Sequence, residues 1–159
     1  MAPCQRLPVT AYVAIGANLG EAKQTVLSAL LALSELSGTR VVSRSGLYRT
    51  APHEAQGPDF VNAVARIETA LTAPALLDAL HGIDRQAGRL RPYVNAPRTL
   101  DLDVIFYGDA QVHSPQLTLP HPRWRERAFV LYPLADVAPE RVHPGDLARV
   151  AGQGVERLT

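Results

Sequence analysis

The sequence contains little cysteine and little lysine. Cys4 is the only cysteine among 159 residues, so an internal disulfide and any metal site built on cysteine are excluded. Lys23 is the only lysine, and every other basic side chain apart from histidine is an arginine. Arginine suits phosphate recognition, but an arginine-biased genome explains the same composition. We prefer the second explanation.

An excess of one charge and long apolar runs are also missing. The 16 basic and 15 acidic residues leave a formal net charge of +1, so a general polyanion binder is not indicated and any anion site must be local. No apolar run approaches the ~18 residues of a spanning helix, and the short polar stretch 1–8 does not resemble a signal peptide. We expect a cytosolic protein with no nucleic-acid or membrane partner.

A glycine-rich segment near the N-terminus lacks a nucleotide-binding motif. The apolar stretch 9–15 predicts a strand, residues 16–20 predict a turn, and the apolar spacing over 21–36 predicts a helix. Neither the Walker Lys-Ser/Thr pair nor a G-x-G-x-x-G spacing is present. A phosphate loop is therefore only weakly supported.

The rest of the chain predicts alternating strands and helices. Strands are expected over 40–50 and 59–69, a helix capped by Thr72 over 72–89, and a central strand from Leu100. On the 59–69 strand we expect the face with Val61 and Ile67 to be buried and Phe60 and Asn62 to stand on the polar face. A hairpin, a helical stretch over 128–135 and a helical, peripheral tail over 144–158 are expected to follow.

This order of elements predicts the fold class. Strand, helix, strand, strand, helix and strand form a ferredoxin-like two-layer α+β sandwich with a βαββαβ core, to which the C-terminal hairpin and helices are added. A length of 159 residues is typical of one domain. We therefore predict a single domain over residues 1–159, which we expect to be a monomer.

The central strand carries the most informative pattern. From Leu100, apolar and acidic residues alternate, and side chains two positions apart share a face of a strand. Asp101 and Asp103 therefore point the same way. Two such carboxylates suit Mg²⁺, which completes its coordination with water and phosphate oxygens. A strand with one solvated face alternates similarly, although aspartate is a poor strand former.

Three arginines, Arg89, Arg91 and Arg98, precede this strand. Guanidinium groups beside carboxylates form either an ion-pair cluster or a metal and phosphate site. Sequence spacing leaves both interpretations open.

Six motifs in order along the chain carry a resemblance to a known family. They are Tyr48-Arg49-Thr50-x-Pro52, Pro58-Asp59-Phe60-x-Asn62, Gly88-Arg89-x-Arg91, Pro97-Arg98-Thr99-Leu100-Asp101-Leu102-Asp103, Pro120-His121-Pro122 and Arg127-x-Phe129-Val130. With these motifs the chain closely resembles the 6-hydroxymethyl-7,8-dihydropterin pyrophosphokinases of folate biosynthesis. The resemblance implies transfer of the β,γ-pyrophosphoryl group of ATP to the pterin hydroxymethyl oxygen, with release of AMP.

The same resemblance implies the roles of individual residues. Asp101 and Asp103 would hold two Mg²⁺ ions, and the arginines Arg89, Arg91 and Arg98 would neutralise charge on the phosphates. Phe60 and Phe129 would sandwich the pterin, while Thr50 and Asn62 would bind its edge. Contacts to ATP would come from His81, Asp84, Arg89, Arg98, His121 and Arg127. The expected partners are these two small molecules alone.

Two other classes compete with this interpretation. A nucleotidyltransferase also holds Mg-ATP with an Asp-x-Asp strand, but it usually has a Gly-Ser element shortly before the acids, which is missing here. A non-enzymatic ferredoxin-like RNA-binding module should carry aromatics in two strand motifs and basic flanks. Acids on the exposed sheet face argue against that module, since without a metal they would repel phosphate.

Overall fold

The computed structural model describes residues 7–18, 21–51, 59–88 and 100–158. The elements up to the central strand are β1 Val9–Ala17, α1 Ala22–Ser34, β2 Thr39–Arg44, β3 Tyr48–Thr50, β4 Phe60–Thr69, α2 Ala73–Gly88 and β5 Leu100–Tyr107. The later elements are β6 Val112–His113, β7 Thr118–Leu119, α3 Ala128–Val137, α4 Pro144–Val150 and β8 Val155–Arg157, with short 3₁₀ turns at Trp124–Glu126, Pro139–Arg141 and Ala151–Gln153.

One antiparallel sheet organises these elements. Its strands follow the order β5-β1-β4-β3-β8, and β2 also pairs with β4. The central strand β1 is thus flanked by β4 and β5, as the βαββαβ arrangement requires. The predicted ferredoxin-like core is confirmed, and so is the short hairpin, formed by β6 and β7.

The single strand predicted over 40–50 is wrong, because Ser45 interrupts it. Its hydroxyl oxygen accepts a hydrogen bond from the Val64 backbone N–H at 2.9 Å, a donor that a continuous ladder would give to a backbone carbonyl. The pairing register is already shifted between Val41 and Ser43. The segment therefore pairs with β4 as two short strands, β2 and β3.

Helices α1 and α2 cover one face of the sheet. Their apolar stripes, which include Val26 and Leu33 of α1 and Leu76 and Leu80 of α2, join the inward residues of β1 and β4 in the main core. The predicted buried face of β4 is confirmed, since Val61, Ala63, Ala65 and Ile67 belong to this core. Thr72 caps α2, because its side-chain oxygen accepts the Ala75 N–H at 3.2 Å.

Helix α3 covers part of the opposite face, where it forms a second core. Val64 of β4 packs there with Leu131 and Leu134 of α3 and with Ile105 and Phe106 of β5. The prediction that this face of β4 is polar is therefore wrong in part, because Asn62 and Val64 are as buried as the residues on the other face. The uncovered part of this face lies beside α3.

The C-terminal tail is only half helical, so the expectation of a helical tail over 144–158 is wrong. After α4 and the turn Ala151–Gln153 the chain extends as β8, which pairs antiparallel with β3. The reason is the open edge of β3, whose unpaired backbone groups provide a partner for one more strand. Among the described residues, no helix has the length and apolarity to cross a bilayer.

Candidate active site

The two aspartates of β5 share one face of the sheet. In the pairing with β1, Asp101 lies opposite Gly16 and Asp103 lies opposite Ala14. Both facing residues are small, so no large side chain of β1 covers the carboxylates. Asp101 is exposed and Asp103 is half-buried. The expected common face of the pair is confirmed, and both side chains border open space.

Gly16 also separates Asp101 from Asn62 on the other neighbouring strand. Asn62 lies opposite Gly16 in the pairing of β1 with β4. A Cβ atom at position 16 would lie 2.9 Å from Asn62 Oδ1, closer than side chains tolerate. The turn predicted from residue 16 is therefore wrong for Gly16 and Ala17, which are the last residues of β1. A glycine at position 16 thus leaves room for the Asn62 side chain within the sheet.

Asn62 is held by Thr50 on the adjacent strand. The Asn62 Nδ2 group donates a hydrogen bond to Thr50 Oγ1 at 2.8 Å, and both residues are buried. This bond uses one of the two amide N–H donors of Asn62. Its other donor and its carbonyl oxygen are the groups with which this side chain can bind a ligand.

A cleft of about 470 Å³ lies over this part of the sheet. It brings together seven of the predicted site residues, which come from β3, β4, β5 and the start of α3: Thr50, Phe60, Asn62, Asp101, Asp103, Arg127 and Phe129. One side of the cleft thus presents carboxylates, and another presents aromatic rings and an amide. This combination can bind a flat polar molecule next to a cation or a charged phosphate chain.

One wall of the cleft begins at the N-terminus of α3. Arg127 precedes the helix and Phe129 lies in its first turn. The Arg127 guanidinium lies over the Phe129 ring, with its carbon 5.4 Å from the ring centroid. A cation at this distance is attracted by the ring face, so the two side chains form one surface of the cleft.

Nine lining residues were not predicted from the sequence as members of a site. Among them are Gly16, Arg123, Glu126, Gln153 and Val155. Gly16 was noted in the sequence only as part of a turn. Gln153 and Val155 come from the tail, where neither periodicity nor a motif signals a role in binding.

His121 does not line the cleft, but it lies near enough to Asp103 for that carboxylate to affect its pKa. Burial lowers the pKa of its imidazole, the Asp103 carboxylate raises it, and Arg127 and Arg123 lower it again. The net direction is downward, so the neutral ring is favoured. Its Nδ1 atom accepts a hydrogen bond from the Arg123 backbone N–H at 3.1 Å, which also requires an unprotonated nitrogen.

Two of the predicted contacts to ATP, His81 and Asp84, are not brought into the cleft. His81 and Asp84 lie on α2, the helix that packs on the opposite face of the sheet, and neither lines the cleft. Arg89, Arg91 and Arg98 fall in the stretch 89–99, which is outside the described residues. The roles of these five residues stay predictions.

A metal centre built wholly from protein side chains is not present in the described part of the chain. No group of three or more histidine, cysteine, aspartate or glutamate side chains converges there. The Asp101 and Asp103 pair is smaller than such a group. It fits a cation that takes only one or two carboxylates and completes its shell with water and phosphate.

Comparison with known proteins identifies the family. Residues 12–139 match the family model of 7,8-dihydro-6-hydroxymethylpterin-pyrophosphokinase. The chain is 44% identical over 154 residues to 2-amino-4-hydroxy-6-hydroxymethyldihydropteridine pyrophosphokinase of Pseudomonas aeruginosa, which covers 92% of this chain and 95% of that protein. It is 42% identical over 137 residues to the protein of the same name from Haemophilus influenzae, and this match covers 86% of each chain.

A solved structure shows the same fold at low sequence identity. The wild-type HPPK-DHPS of Plasmodium falciparum, crystallised with pterin and p-hydroxybenzoate, matches with a TM-score of 0.73 at 14% identity. The match covers 98% of this chain but only 47% of that longer one. The chain belongs to the 7,8-dihydro-6-hydroxymethylpterin-pyrophosphokinase family, whose members transfer pyrophosphate from ATP to a hydroxymethyldihydropterin in folate synthesis.

Proposed function

We propose that the cleft between β4, β5 and the start of α3 is the active site in which this protein transfers the pyrophosphoryl group of ATP to 6-hydroxymethyl-7,8-dihydropterin. The observation that carries this proposal is the shared cleft of Asp101 and Asp103 with Phe60, Asn62 and Phe129. The carboxylates suit the metal-bound phosphates of ATP, and the aromatic and amide groups suit a pterin. The two substrates would meet in one cleft.

The pterin half of the cleft would be formed by Phe60, Phe129, Asn62 and Thr50. A flat heteroaromatic ring packs well against the faces of phenylalanine rings. Thr50 holds the Asn62 amide in place, which leaves one N–H donor and the carbonyl oxygen for the polar edge of the pterin. A preset amide also discriminates, because a ligand that lacks the matching groups leaves buried polar atoms unpaired.

The phosphate half would be formed by Asp101 and Asp103. Their hard oxygen donors and their position over the small residues Gly16 and Ala14 fit Mg²⁺, and we propose that the pair holds two such ions together with ATP. Bound Mg²⁺ would supply neutralisation of charge on the transferring phosphate oxygens. Arg127 on the cleft wall would contact ATP, and Arg89, Arg91 and Arg98 are the further candidates for phosphate contacts.

The chemistry itself places few demands on the protein. The pterin hydroxymethyl oxygen forms a bond to the β-phosphorus of ATP and loses its proton to water. The bond from that phosphorus to the oxygen bridging it to the α-phosphorus breaks, and AMP leaves with the bridging oxygen. Phosphoryl transfer of this kind depends on in-line positioning and charge stabilisation. Phe60, Phe129 and Asn62 would orient the acceptor, and the Asp101 and Asp103 pair would fix the phosphate chain beside it.

Paramagnetic NMR tests this placement of the metal. Mn²⁺ added with an unreactive ATP analogue should broaden the backbone signals of Gly16 and Asn62, the neighbours of the carboxylates, before those of exposed residues on α1. Asp101→Asn and Asp103→Asn should each weaken the effect. Broadening that is equal in both variants and the unmodified protein would overturn the assignment.

Three broader expectations accompany this proposal. We propose that residues 1–159 form one pyrophosphokinase domain, supported by the packing of α1, α2 and α3 on a single sheet. We also propose that it acts as a monomer in the cytoplasm on two small-molecule substrates. Sedimentation equilibrium with and without Mg-ATP would test the monomeric state.

A further inference from the structure

The side chain of Gln153 joins the C-terminal segment to the start of α3. Its Nε2 group donates a hydrogen bond to the Glu126 carbonyl oxygen at 2.9 Å. Its Oε1 atom accepts a hydrogen bond from the Ala128 backbone N–H at 3.0 Å. The two bonds hold the chain immediately before and immediately after Arg127.

This contact replaces a local helix cap. The first N–H groups of a helix have no partner within the helix and need one from elsewhere. Arg127 occupies the N-cap position of α3, but its side chain makes no capping hydrogen bond. Gln153, from the turn that follows α4, satisfies the Ala128 N–H instead.

The capped segment is the wall of the cleft that carries Phe129. Ala128 is buried at 1% exposure, and Phe129 follows it in the first turn of α3. Arg127, between the two bonds of Gln153, packs its guanidinium on the Phe129 ring. The orientation of the Phe129 ring therefore depends on the backbone that Gln153 holds.

The same C-terminal segment also pairs with β3. Val155 pairs with Thr50 at the end of β3, and Thr50 in turn fixes the Asn62 amide. Both Gln153 and Val155 line the cleft. The stretch 151–157 thus connects the wall that bears Phe129 with the wall that bears Thr50 and Asn62.

We propose that Gln153 is a positioning residue for the dihydropterin, and that the C-terminal segment completes the pterin-binding half of the cleft. This segment lies beyond residues 12–139, the part of the chain that matches the family model. The inference rests on the proposed role of Phe129 in pterin binding. Gln153 acts through the backbone of Arg127 and Ala128, and it does not take part in the transfer of the pyrophosphoryl group.

The test compares steady-state constants for both substrates in Gln153→Met, which keeps the length of the side chain but removes both hydrogen bonds. The KM for the pterin should rise by about tenfold, equivalent to 1.4 kcal/mol of binding free energy, while kcat and the KM for ATP stay within about twofold. Gln24→Met is the matched control, since Gln24 is exposed on α1, across the sheet from the cleft.

A second variant, Gln153→Glu, keeps the acceptor for the Ala128 N–H but replaces the donor to Glu126 with a charged carboxylate oxygen. Its pterin KM should lie between those of the unmodified protein and Gln153→Met, and it decides the question by itself if Gln153→Met does not fold. An unchanged pterin KM, or equal increases in both KM values, would overturn the inference. Failure of the unmodified protein to use the pterin would instead overturn the proposed function.

Discussion

Asn62 lies directly over Gly16 in the middle of the sheet, with its Oδ1 atom 2.9 Å from the place where a Cβ of residue 16 would be. The absence of a side chain at position 16 thus leaves space for the Asn62 amide on one neighbouring strand. On the other neighbouring strand, Asp101 lies opposite the same glycine. Gly16 therefore lies between the proposed pterin half and the proposed phosphate half of the cleft.

Gly16→Ala should impair the pterin half of the site. The added methyl group forces the Asn62 amide away from its position, which strains its bond to Thr50 and costs about 1–3 kcal/mol of stability, as overpacking does. Titration of the pterin followed by isothermal calorimetry should show weakened binding. Gly145→Ala serves as the control, because a Cβ at position 145 has no atom within 4 Å. Pterin affinity equal to that of this control would contradict the assigned role of Gly16.

Replacing either carboxylate should remove activity without unfolding the protein. Asp101→Asn and Asp103→Asn keep the shape of the side chains, but each loses a carboxylate that we propose binds Mg²⁺, so turnover should fall by about 10²-fold or more. The melting temperature should change little, since the pair borders the cleft and is not part of either core. Asp109→Asn is the control, as Asp109 is exposed just beyond β5. A large fall in melting temperature with full turnover per folded molecule would refute the metal role.

Phe60→Ala should weaken the binding of the pterin and leave the binding of ATP nearly unchanged. Loss of a stacking ring costs about 1–3 kcal/mol for a flat base, so the pterin dissociation constant should rise by about tenfold or more. The affinity for an unreactive ATP analogue, measured in the same calorimetric series, should remain nearly constant. Equal losses for both ligands would contradict the stacking role.

The raised pKa of the Tyr48 phenol predicts how the stability of the protein changes at alkaline pH. Burial and a hydrogen bond to Asp136 raise the pKa of its phenol from 10.0 to about 12. The hydroxyl donates to Asp136 Oδ2 at 2.8 Å, and the Gly46 backbone N–H donates to the same oxygen at 3.0 Å. These bonds connect α3 to the chain at β3.

The sign of the effect follows from the raised pKa. Between pH 10 and 12 the folded protein retains the phenolic proton that the unfolded chain has lost, so this stabilisation is complete below pH 10 and decreases as the pH rises through that interval. Tyr48→Phe should reduce stability by about 1 kcal/mol near neutral pH. It should also flatten the alkaline decrease, which urea denaturation at several pH values would measure. An equally steep decrease in Tyr48→Phe would show that another group is responsible.

The face of the sheet that carries Asp101 and Asp103 could be predicted because it depends on local geometry. Alternation over Leu100–Tyr107 is enough to place Asp101 and Asp103 on one side of a strand, whatever surrounds them. The burial of Val64 on the same face of β4 as Asn62 could not be predicted in this way. It depends on α3, which packs on that face from a segment far along the chain.

The contribution of the C-terminal tail to the cleft could not be predicted from the sequence either. Gln153 becomes a helix cap only because β8 pairs with the open edge of β3 and brings the preceding turn close to Ala128. The division between β2 and β3 likewise depends on one side-chain hydrogen bond of Ser45. Contacts of this kind join distant residues and leave no periodic pattern in the sequence.

The most direct test of the central claim is to identify the nucleotide that forms when the purified protein is incubated with Mg-ATP and 6-hydroxymethyl-7,8-dihydropterin. We expect AMP in equal amount to a pyrophosphorylated pterin, with no free pyrophosphate. Release of ADP would indicate a simple kinase, and release of pyrophosphate would indicate nucleotidyl transfer. Either of these products, or no turnover of the pterin at all, would contradict the assignment of this cleft to pyrophosphoryl transfer.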